Sequence, residues 1–241
     1  MASARRTGAE GDKTQKIILI TGATRGIGLA AACLLSARGA GVVIGSRDAQ
    51  RAETAAADVG CDWVQLDITD QASVAAAGVA LASRHERLDV LVNNSAILLD
   101  HYASLLDLRP GVLRETLETN VIGTFRITQA LLPLLQRSND PRIINVSSGA
   151  GQLDGEPQPW APAYSISKTA LNMLTQQLVA AVPDADVMTN SMCPGWCRTD
   201  MGGPEAPLTP EEGADTLVWL ALEAPRTLQG CFIKERTVIP W

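Results

Sequence analysis

Residues 21–28 read TGATRGIG, and they join an apolar, strand-like run to a segment with the apolar periodicity of a helix. Glycines let the backbone turn sharply and approach a ligand closely, and a helix start directs unpaired N–H groups and a positive dipole at the gap. Gly22, Gly26 and Gly28 have the spacing G-x-x-x-G-x-G. Glycine also serves plain turns and close helix packing, but the strand before this loop and the helix after it favour binding of a pyrophosphate.

The composition indicates one folded domain and argues against several partners. The chain has 241 residues, of which 46% are hydrophobic and 19% are charged, which is a globular balance. A net charge of −6 argues against nucleic acid or an anionic membrane as the main partner. No apolar run is long enough to span a bilayer. We therefore expect neither a nucleic acid nor a membrane partner.

The N-terminus and the cysteines indicate the compartment. Residues 1–14 are polar, so we predict a flexible tail rather than a secretory signal, and Glu10 and Asp12 argue against a transit peptide. The five scattered cysteines and the only two histidines, His85 and His101, match no metal or disulfide pattern. We therefore predict no metal, reduced thiols and a cytoplasmic location.

Apolar runs and helical periodicity alternate along the rest of the chain. Strands are predicted at Ile17–Thr21, Val42–Gly45, Trp63–Leu66, Leu88–Val92, Arg142–Val146, Val187–Met192 and near Cys231–Lys234. Helices are predicted at Gly26–Arg38, from the end of the second strand to about Ala57, at Gln71–Arg87, twice within Leu105–Arg137, at about Ala161–Val182 and at Pro210–Leu222. This alternation predicts a single-domain α/β fold over residues 15–241, a Rossmann-type doubly wound parallel sheet of about seven strands with helices on both faces. In such a sheet the ligand binds beyond the carboxyl ends of the strands.

Residues 164–168 read YSISK and place two ionisable groups together. Tyr164 and Lys168 are four residues apart on a predicted helix, so they share one face. A phenol has a pKa of about 10, and an ammonium one turn away is expected to lower the pKa of Tyr164 by stabilising the phenolate. The pair can therefore act as a general acid or base. The same spacing also occurs as a plain surface pair.

Ser148 stands at the end of the fifth predicted strand. A hydroxyl there can hold a carbonyl oxygen on which negative charge develops. The neighbouring Ser147 is the alternative, but successive side chains of a strand point to opposite faces. No histidine lies nearby to act as a base, so a serine nucleophile is not predicted.

Further motifs follow the glycine loop in a fixed order. They are NNSA at 93–96, ETNVIGT at 118–124, INVSS at 144–148, YSISK at 164–168 and CPGWCRTDM at 193–201. Together they resemble the short-chain dehydrogenase/reductase family over almost the whole chain, and its carbonyl reductases most of all. NNSA departs from the family's usual NNAG.

The resemblance implies roles for individual residues. The catalytic set carried over is Asn120, Ser148, Tyr164 and Lys168. Tyr164 would exchange the proton, Ser148 would orient the substrate oxygen, Lys168 would tune Tyr164, and Asn120 would relay protons through water. The cofactor-binding residues carried over are Gly22, Thr24, Arg25, Gly26, Ile27, Gly28, Ser46, Arg47, Asp67, Ile68, Asn94, Ser95, Ala96, Tyr164, Lys168, Pro194, Gly195 and Thr199.

The end of the second strand predicts which nicotinamide cofactor binds. An acidic residue at that point binds the ribose hydroxyls of NAD and repels the additional phosphate of NADP. Here the position holds Ser46, Arg47 follows it, and Arg25 adds a second positive charge. A guanidinium binds phosphate with paired hydrogen bonds, so we predict NADP(H). If the strand ends later, Asp48 would take the ribose and NAD would bind.

The expected activity is NADPH-dependent reduction of a ketone, aldehyde or quinone to an alcohol by hydride transfer. The alternatives are a dehydrogenase that oxidises alcohols in secondary metabolism and a non-catalytic NADP(H)-sensing protein. Candidate substrate-binding residues are Ser148, Gln152, Trp160 and Trp196. The animal carbonyl reductases carry an insertion between the catalytic serine and tyrosine that covers a dimerisation face. The connection here is short, so we expect a homodimer or homotetramer.

Overall fold

The structure of the protein is a computed structural model that describes residues 15–154, 156, 159–182 and 187–241. The predicted N-terminal tail, residues 1–14, lies outside the described residues. The described chain forms one sheet with a layer of helices on each face.

The sheet has eight strands in the order β3-β2-β1-β4-β5-β6-β7-β8. They are β1 Ile17–Thr21, β2 Gly41–Ser46, β3 Asp62–Gln65, β4 Val90–Asn93, β5 Arg142–Val146, β6 Met188–Met192, β7 Phe232–Lys234 and β8 Thr237–Ile239. The strands β1 to β7 are parallel, and β8 pairs antiparallel with β7. The central strands are buried on both faces, which is why they read as unbroken apolar runs. The predicted doubly wound parallel sheet is confirmed.

The helices of the described chain connect these strands. They are α1 Gly26–Ala37, α2 Ala49–Val59, α3 Gln71–Arg84, α4 Pro110–Leu117, α5 Thr124–Leu135, α6 Pro162–Ala181 and α7 Pro210–Leu222. A π-helical turn, Glu118–Gly123, joins α4 directly to α5. One apolar core lies between the sheet and α1, α2 and α7, and the other lies under α3 and α5. None of the described helices is both long enough and apolar enough to cross a membrane.

Local differences from the sequence prediction have local causes. The strand β8 was not expected, because the turn before it consists of Glu235 and Arg236 at φ values of 50° and 60°. Such a turn normally contains Gly, Asn or Asp, so its sequence gives no warning of a hairpin. The third helix ends at Arg84 rather than Arg87, since the chain is already extended at His85.

The strand order reverses at β1, which lies between β2 and β4. Chain segments leave the carboxyl ends of these neighbouring strands toward opposite faces of the sheet, and a crevice opens between them. The topology therefore locates a ligand site at this edge before any side chain is considered.

Candidate active site

A cleft of about 750 Å³ opens at this edge of the sheet. Every residue that the sequence predicts for the cofactor lines it, as do Ser148, Trp160 and Trp196. Asn120 and Gln152 are the predicted site residues that do not line it. We call the part formed by residues 22–28, 46–48, 66–69 and 94–96 the glycine half. The part formed by His101, Tyr102, Trp160 and Tyr164 is the ring half.

The glycine loop leaves room for a ligand on the side that faces the cleft. On its other side it packs closely against neighbouring residues. Gly22 and Gly26 have φ values of 65° and 56°, which favour glycine. A Cβ on Gly28 would lie 2.5 Å from Asn94 Nδ2 and 2.9 Å from Ala23 Cα. The helix α1 begins at Gly26 without a side-chain cap, so its first N–H groups are available to a ligand. These features fit the pyrophosphate of a dinucleotide.

Two asparagines hold the strand ends that form this half. The Asn94 amide donates to the carbonyl oxygens of Thr21 and Gly22 at 2.9 and 3.1 Å. Asn93 donates to Asn145 Oδ1 at 2.8 Å, which links β4 to β5. The Ser95 N–H donates to Thr21 Oγ1 at 3.0 Å. The motif NNSA therefore ties β4 to both neighbouring strands despite its departure from NNAG.

The end of β2 carries the arrangement expected for a phosphate. Ser46 is buried, and its hydroxyl accepts from the Asp48 N–H at 3.2 Å. Asp48 caps α2, because its carboxylate accepts from the Arg51 N–H at 3.1 Å. Arg47 is exposed and lines the cleft. Asp48 lines the cleft as Arg47 does, but its carboxylate is already engaged at the start of α2.

Two further predicted residues lie at the same end of the cleft. Asp67 lines it and accepts from the N–H and the hydroxyl of Thr69 at 2.9 and 2.7 Å. The cap of α3 is Asp70, so Asp67 is not occupied as a helix cap. Arg25 pairs with Asp200 at 2.5 Å, and both side chains are largely exposed.

The structure brings Ser148, Tyr164 and Lys168 together at the cleft. Ser148 follows β5, and its hydroxyl accepts from the Ala150 N–H at 3.1 Å. Tyr164 and Lys168 lie one turn apart on α6, and both are buried. The Lys168 ammonium donates to Val146 O at 2.7 Å and lies 5.5 Å from the centroid of the Tyr164 ring.

Burial dominates the protonation of this pair. It raises the pKa of Tyr164 to about 12, against the lowering effect of a hydrogen bond with Ser148, while Cys193 raises it further. Burial lowers the pKa of Lys168 to about 8, with a weaker opposite effect of Cys193. The expectation of a lowered pKa for Tyr164 is therefore wrong for this structure. Burial of the phenol, and not the ammonium one turn away, decides the direction of the shift.

Asn120 lies in the π-helical turn and is buried. Its Oδ1 accepts from the Ile97 N–H at 2.8 Å, and its Nδ2 donates to Ile97 O at 2.9 Å and to Ser167 Oγ at 3.0 Å. Both ends of the amide are thus engaged away from Lys168. The side chain fixes the segment after β4 against α6, and a proton relay through it stays a prediction.

The predicted substrate residues differ in position. Trp160 and Trp196 line the cleft, and the Trp196 indole donates to Gly202 O at 2.7 Å. Gln152 is a correction: its amide donates to Pro240 O at 2.9 Å, so it holds the chain after β8 and does not face the cleft. His101 and Tyr102 line the cleft and were missed. Both residue types are rare here, since the chain has two histidines and two tyrosines.

Comparisons with known proteins agree with this geometry. Residues 16–207 match the family described as short chain dehydrogenase. Mouse carbonyl reductase (NADPH) 1 is 30% identical over 95% of this chain and 99% of its own length. The (+)-neomenthol dehydrogenase of Capsicum annuum is 28% identical over 95% of this chain and 99% of its own.

A solved structure gives the same relationship in three dimensions. The NADPH-bound carbonyl reductase from chicken fatty liver superposes with a TM-score of 0.85 at 29% identity, over 94% of this chain and 99% of that one. The fold, the order of the motifs and the match over most of the length lead to one conclusion. This chain belongs to the short-chain dehydrogenase family.

Proposed function

We propose that this protein is an NADP(H)-dependent oxidoreductase that reduces a ketone, aldehyde or quinone to an alcohol. The observation that carries the proposal is the convergence of Ser148, Tyr164 and Lys168 on a cleft that begins at an uncapped, glycine-lined helix start. A protein that only senses the cofactor needs the glycine half. It does not need a buried phenol and ammonium beside a hydroxyl.

The choice of cofactor rests on charge at the end of β2. Arg47 lies beside a cleft wall on which Ser46 replaces the acidic residue typical of NAD sites. A guanidinium there favours the additional phosphate of NADP(H). NADPH-bound relatives at about 30% identity support the same choice.

The chain's own residues would divide the chemistry as follows. When bound, the nicotinamide ring supplies the hydride to the carbonyl carbon. The Ser148 hydroxyl would orient the carbonyl oxygen and stabilise its developing negative charge. Tyr164 would transfer the proton of its Oη to that oxygen, and Lys168 would stabilise the resulting phenolate and bind the nicotinamide ribose. Asn120 would hold Ile97 and α6 in register and serve the proton relay.

The protonation of Tyr164 suits the reductive half of the reaction. The pKa of Tyr164 is raised to about 12, so the phenol holds its proton at neutral pH and can donate it to the substrate oxygen. Because a catalyst accelerates both directions, the net direction depends on the ratios of cofactor and substrate forms, and the alcohol-oxidising alternative is tested with alcohols and NADP⁺.

Exposed apolar side chains on three helical segments support a homodimer or homotetramer. Ile122, Phe125, Ile166 and Met173 lie on the π-helical turn, α5 and α6, and all four are exposed. Burying such residues against a second copy would remove apolar area from water. We expect sedimentation of the purified chain to give a mass of two or four copies; a monomer at micromolar concentration would contradict this. A cytoplasmic location stays a prediction from cysteine usage.

The deciding experiment compares NADPH and NADH oxidation over a panel of aldehydes, ketones and quinones, with Tyr164→Phe as the matched variant. We expect turnover with NADPH and a loss of roughly 10²- to 10⁴-fold in kcat without the phenol hydroxyl, while NADPH binding is kept. Turnover with NADH alone would overturn the cofactor assignment. Tight NADPH binding without turnover on the reductive panel or on matched alcohols with NADP⁺ would favour the sensing alternative.

A further inference from the structure

A row of aromatic rings runs from the reactive tyrosine to the mouth of the cleft. Trp160 lies 6.0 Å from Tyr164, His101 lies 5.5 Å from Trp160, and Tyr102 lies 4.3 Å from His101, all between ring centroids. All four rings line the cleft. The two outer rings are nearly parallel, at 18°. We call His101, Tyr102 and Trp160 the aromatic strip.

Packing of the free protein does not explain the position of Tyr102. Tyr102 is 80% exposed, so its ring buries little apolar area and contributes little to the core. Its φ of 59° is a left-handed value that a tyrosine rarely adopts. An unfavourable backbone that presents an exposed ring to a cleft is the pattern expected where a ligand uses the ring.

The backbone holds Tyr102 in this position. Its N–H donates to Trp160 O at 2.6 Å, and the Ala103 N–H donates to Asp100 O at 3.0 Å. The buried Asp100 carboxylate accepts from the Ala163 N–H at the start of α6. The loop after β4 is therefore fastened to the segment that carries Tyr164, and the spacing between strip and phenol is fixed.

We propose that the aromatic strip binds the remote part of the substrate and selects carbonyl compounds conjugated to an extended flat system of two or more aromatic rings. This rests on the proposed function. Flat rings stack or meet edge to face with other aromatic rings at centroid distances like those within the strip. A carbonyl held at Ser148 and Tyr164 would place such a system along Trp160 toward His101 and Tyr102. An aliphatic chain of equal carbon number gains only the free energy of burying apolar area there, without the contribution of ring–ring contacts.

The experiment measures NADPH-dependent reduction of 2-acetonaphthone, acetophenone and a straight-chain ketone of twelve carbons. The variants are Tyr102→Phe, which keeps the ring, and Tyr102→Asn, which removes it but tolerates the left-handed backbone. We expect Tyr102→Asn to lower kcat/KM for 2-acetonaphthone roughly three- to tenfold, mainly through KM. Acetophenone and the aliphatic ketone should change by less than about twofold, and Tyr102→Phe should behave as the parent.

The matched control is Leu106→Ala, a variant on the same loop whose side chain is 94% exposed and does not line the cleft. Equal losses for all three ketones in Tyr102→Asn would assign the ring a purely structural role and overturn the proposal. Equal kcat/KM values for the aliphatic ketone and 2-acetonaphthone in the parent protein would also overturn the proposal.

Failure of the proposed function has a different signature. If no form of the protein reduces any of the ketones, binding of 2-acetonaphthone to the NADPH-loaded protein is measured by quenching of tryptophan fluorescence. A Kd weakened by Tyr102→Asn and restored by Tyr102→Phe would still support the strip as a binding site. A Kd that Tyr102→Asn leaves unchanged would overturn it.

Discussion

The two halves of the cleft are built from different kinds of structure. In the glycine half, backbone atoms and short side chains are fixed at strand ends, as where Asn94 bridges to Thr21 and Gly22. In the ring half, His101 and Tyr102 on the loop after β4 make ring contacts with each other and with Trp160 before α6, and Tyr102 stays exposed. The sheet thus sets the geometry where the cofactor is proposed to bind. Apart from Ser148 after β5 and Tyr164 on α6, loop residues set it where the substrate is proposed to bind.

The substitution Gly28→Ala is expected to have the largest effect on the glycine half of the cleft. The added methyl group would meet Asn94 Nδ2, Ala23 Cα and Gly22 O at 2.5 to 3.0 Å, and two of these are backbone atoms that cannot turn away. Overpacking of this kind costs about 1–3 kcal/mol and is relieved by a shift of the glycine loop. A shift that removes about 2.7 kcal/mol of binding free energy lowers NADPH affinity about 100-fold, which is the loss we expect. Isothermal titration measures it.

Gly111→Ala is the matched control, since a Cβ at that position meets no atom of the described residues within 4 Å. Equal NADPH affinity in the two variants would show that the close packing behind the loop does not shape the site. A thermal melt of both proteins separates lost binding from lost folding.

Lys168 stands where the two halves meet, and its burial predicts a pH dependence of stability. Its pKa is lowered to about 8 from 10.5, so below pH 8 the ammonium is charged in both states and the cost of burying it is fully present. Between about pH 8 and 10.5 only the unfolded chain holds the proton, and the free energy of unfolding therefore rises with pH.

The variant Lys168→Met removes the pH-dependent contribution of the Lys168 ammonium to the free energy of unfolding. From pH 7 to pH 10 the parent should gain about 2 kcal/mol in free energy of unfolding relative to the variant. Urea denaturation at both pH values measures the difference. If the difference in free energy of unfolding between parent and variant is the same at both pH values, Lys168 keeps its ordinary pKa in the folded protein. The claim that burial lowers this pKa would then be wrong.

The smallest expected effect sharpens the assignment of charge in the glycine half. Arg25 is already paired with Asp200, so Arg47 is the cation we expect to bind the additional phosphate of NADPH. Removing charged hydrogen bonds in Arg47→Ser should raise KM for NADPH roughly tenfold and leave KM for NADH within about twofold. Arg109→Ser, an exposed arginine outside the cleft, is the control. Equal effects on both cofactors would remove Arg47 from phosphate recognition.

The sequence predicted the glycine half better than the ring half, for a physical reason. Strands such as Ile17–Thr21 and Arg142–Val146 and the turn at Gly26 are encoded locally, by apolar runs and by residues that allow special backbone angles. The edge-to-face contact of Trp160 with His101 joins residues about sixty positions apart, and no local pattern encodes it.

The same distinction explains the individual errors. Gln152 has a side chain able to bind a substrate, but Pro240, from the far end of the chain, takes its hydrogen bond. The pKa of Tyr164 depends on how completely α6 and its neighbours exclude water, which spacing along one helix does not reveal. Residue spacing predicted which side chains are neighbours on one helix. It could not predict how deeply those side chains are buried.

The π-helical turn at Glu118–Gly123 has a consequence for chain length. Each such turn holds one residue more than an α-helical turn, so the side chains that follow are offset by about 100° from those of an unbroken helix. This offset points Ile127, Thr128 and Leu131 of α5 inward, where they are buried. Deleting a single residue here would swing that face toward solvent. Related chains that keep the length of this turn would keep this pairing of the two helices, whereas an alignment gap of one residue would signal a different pairing.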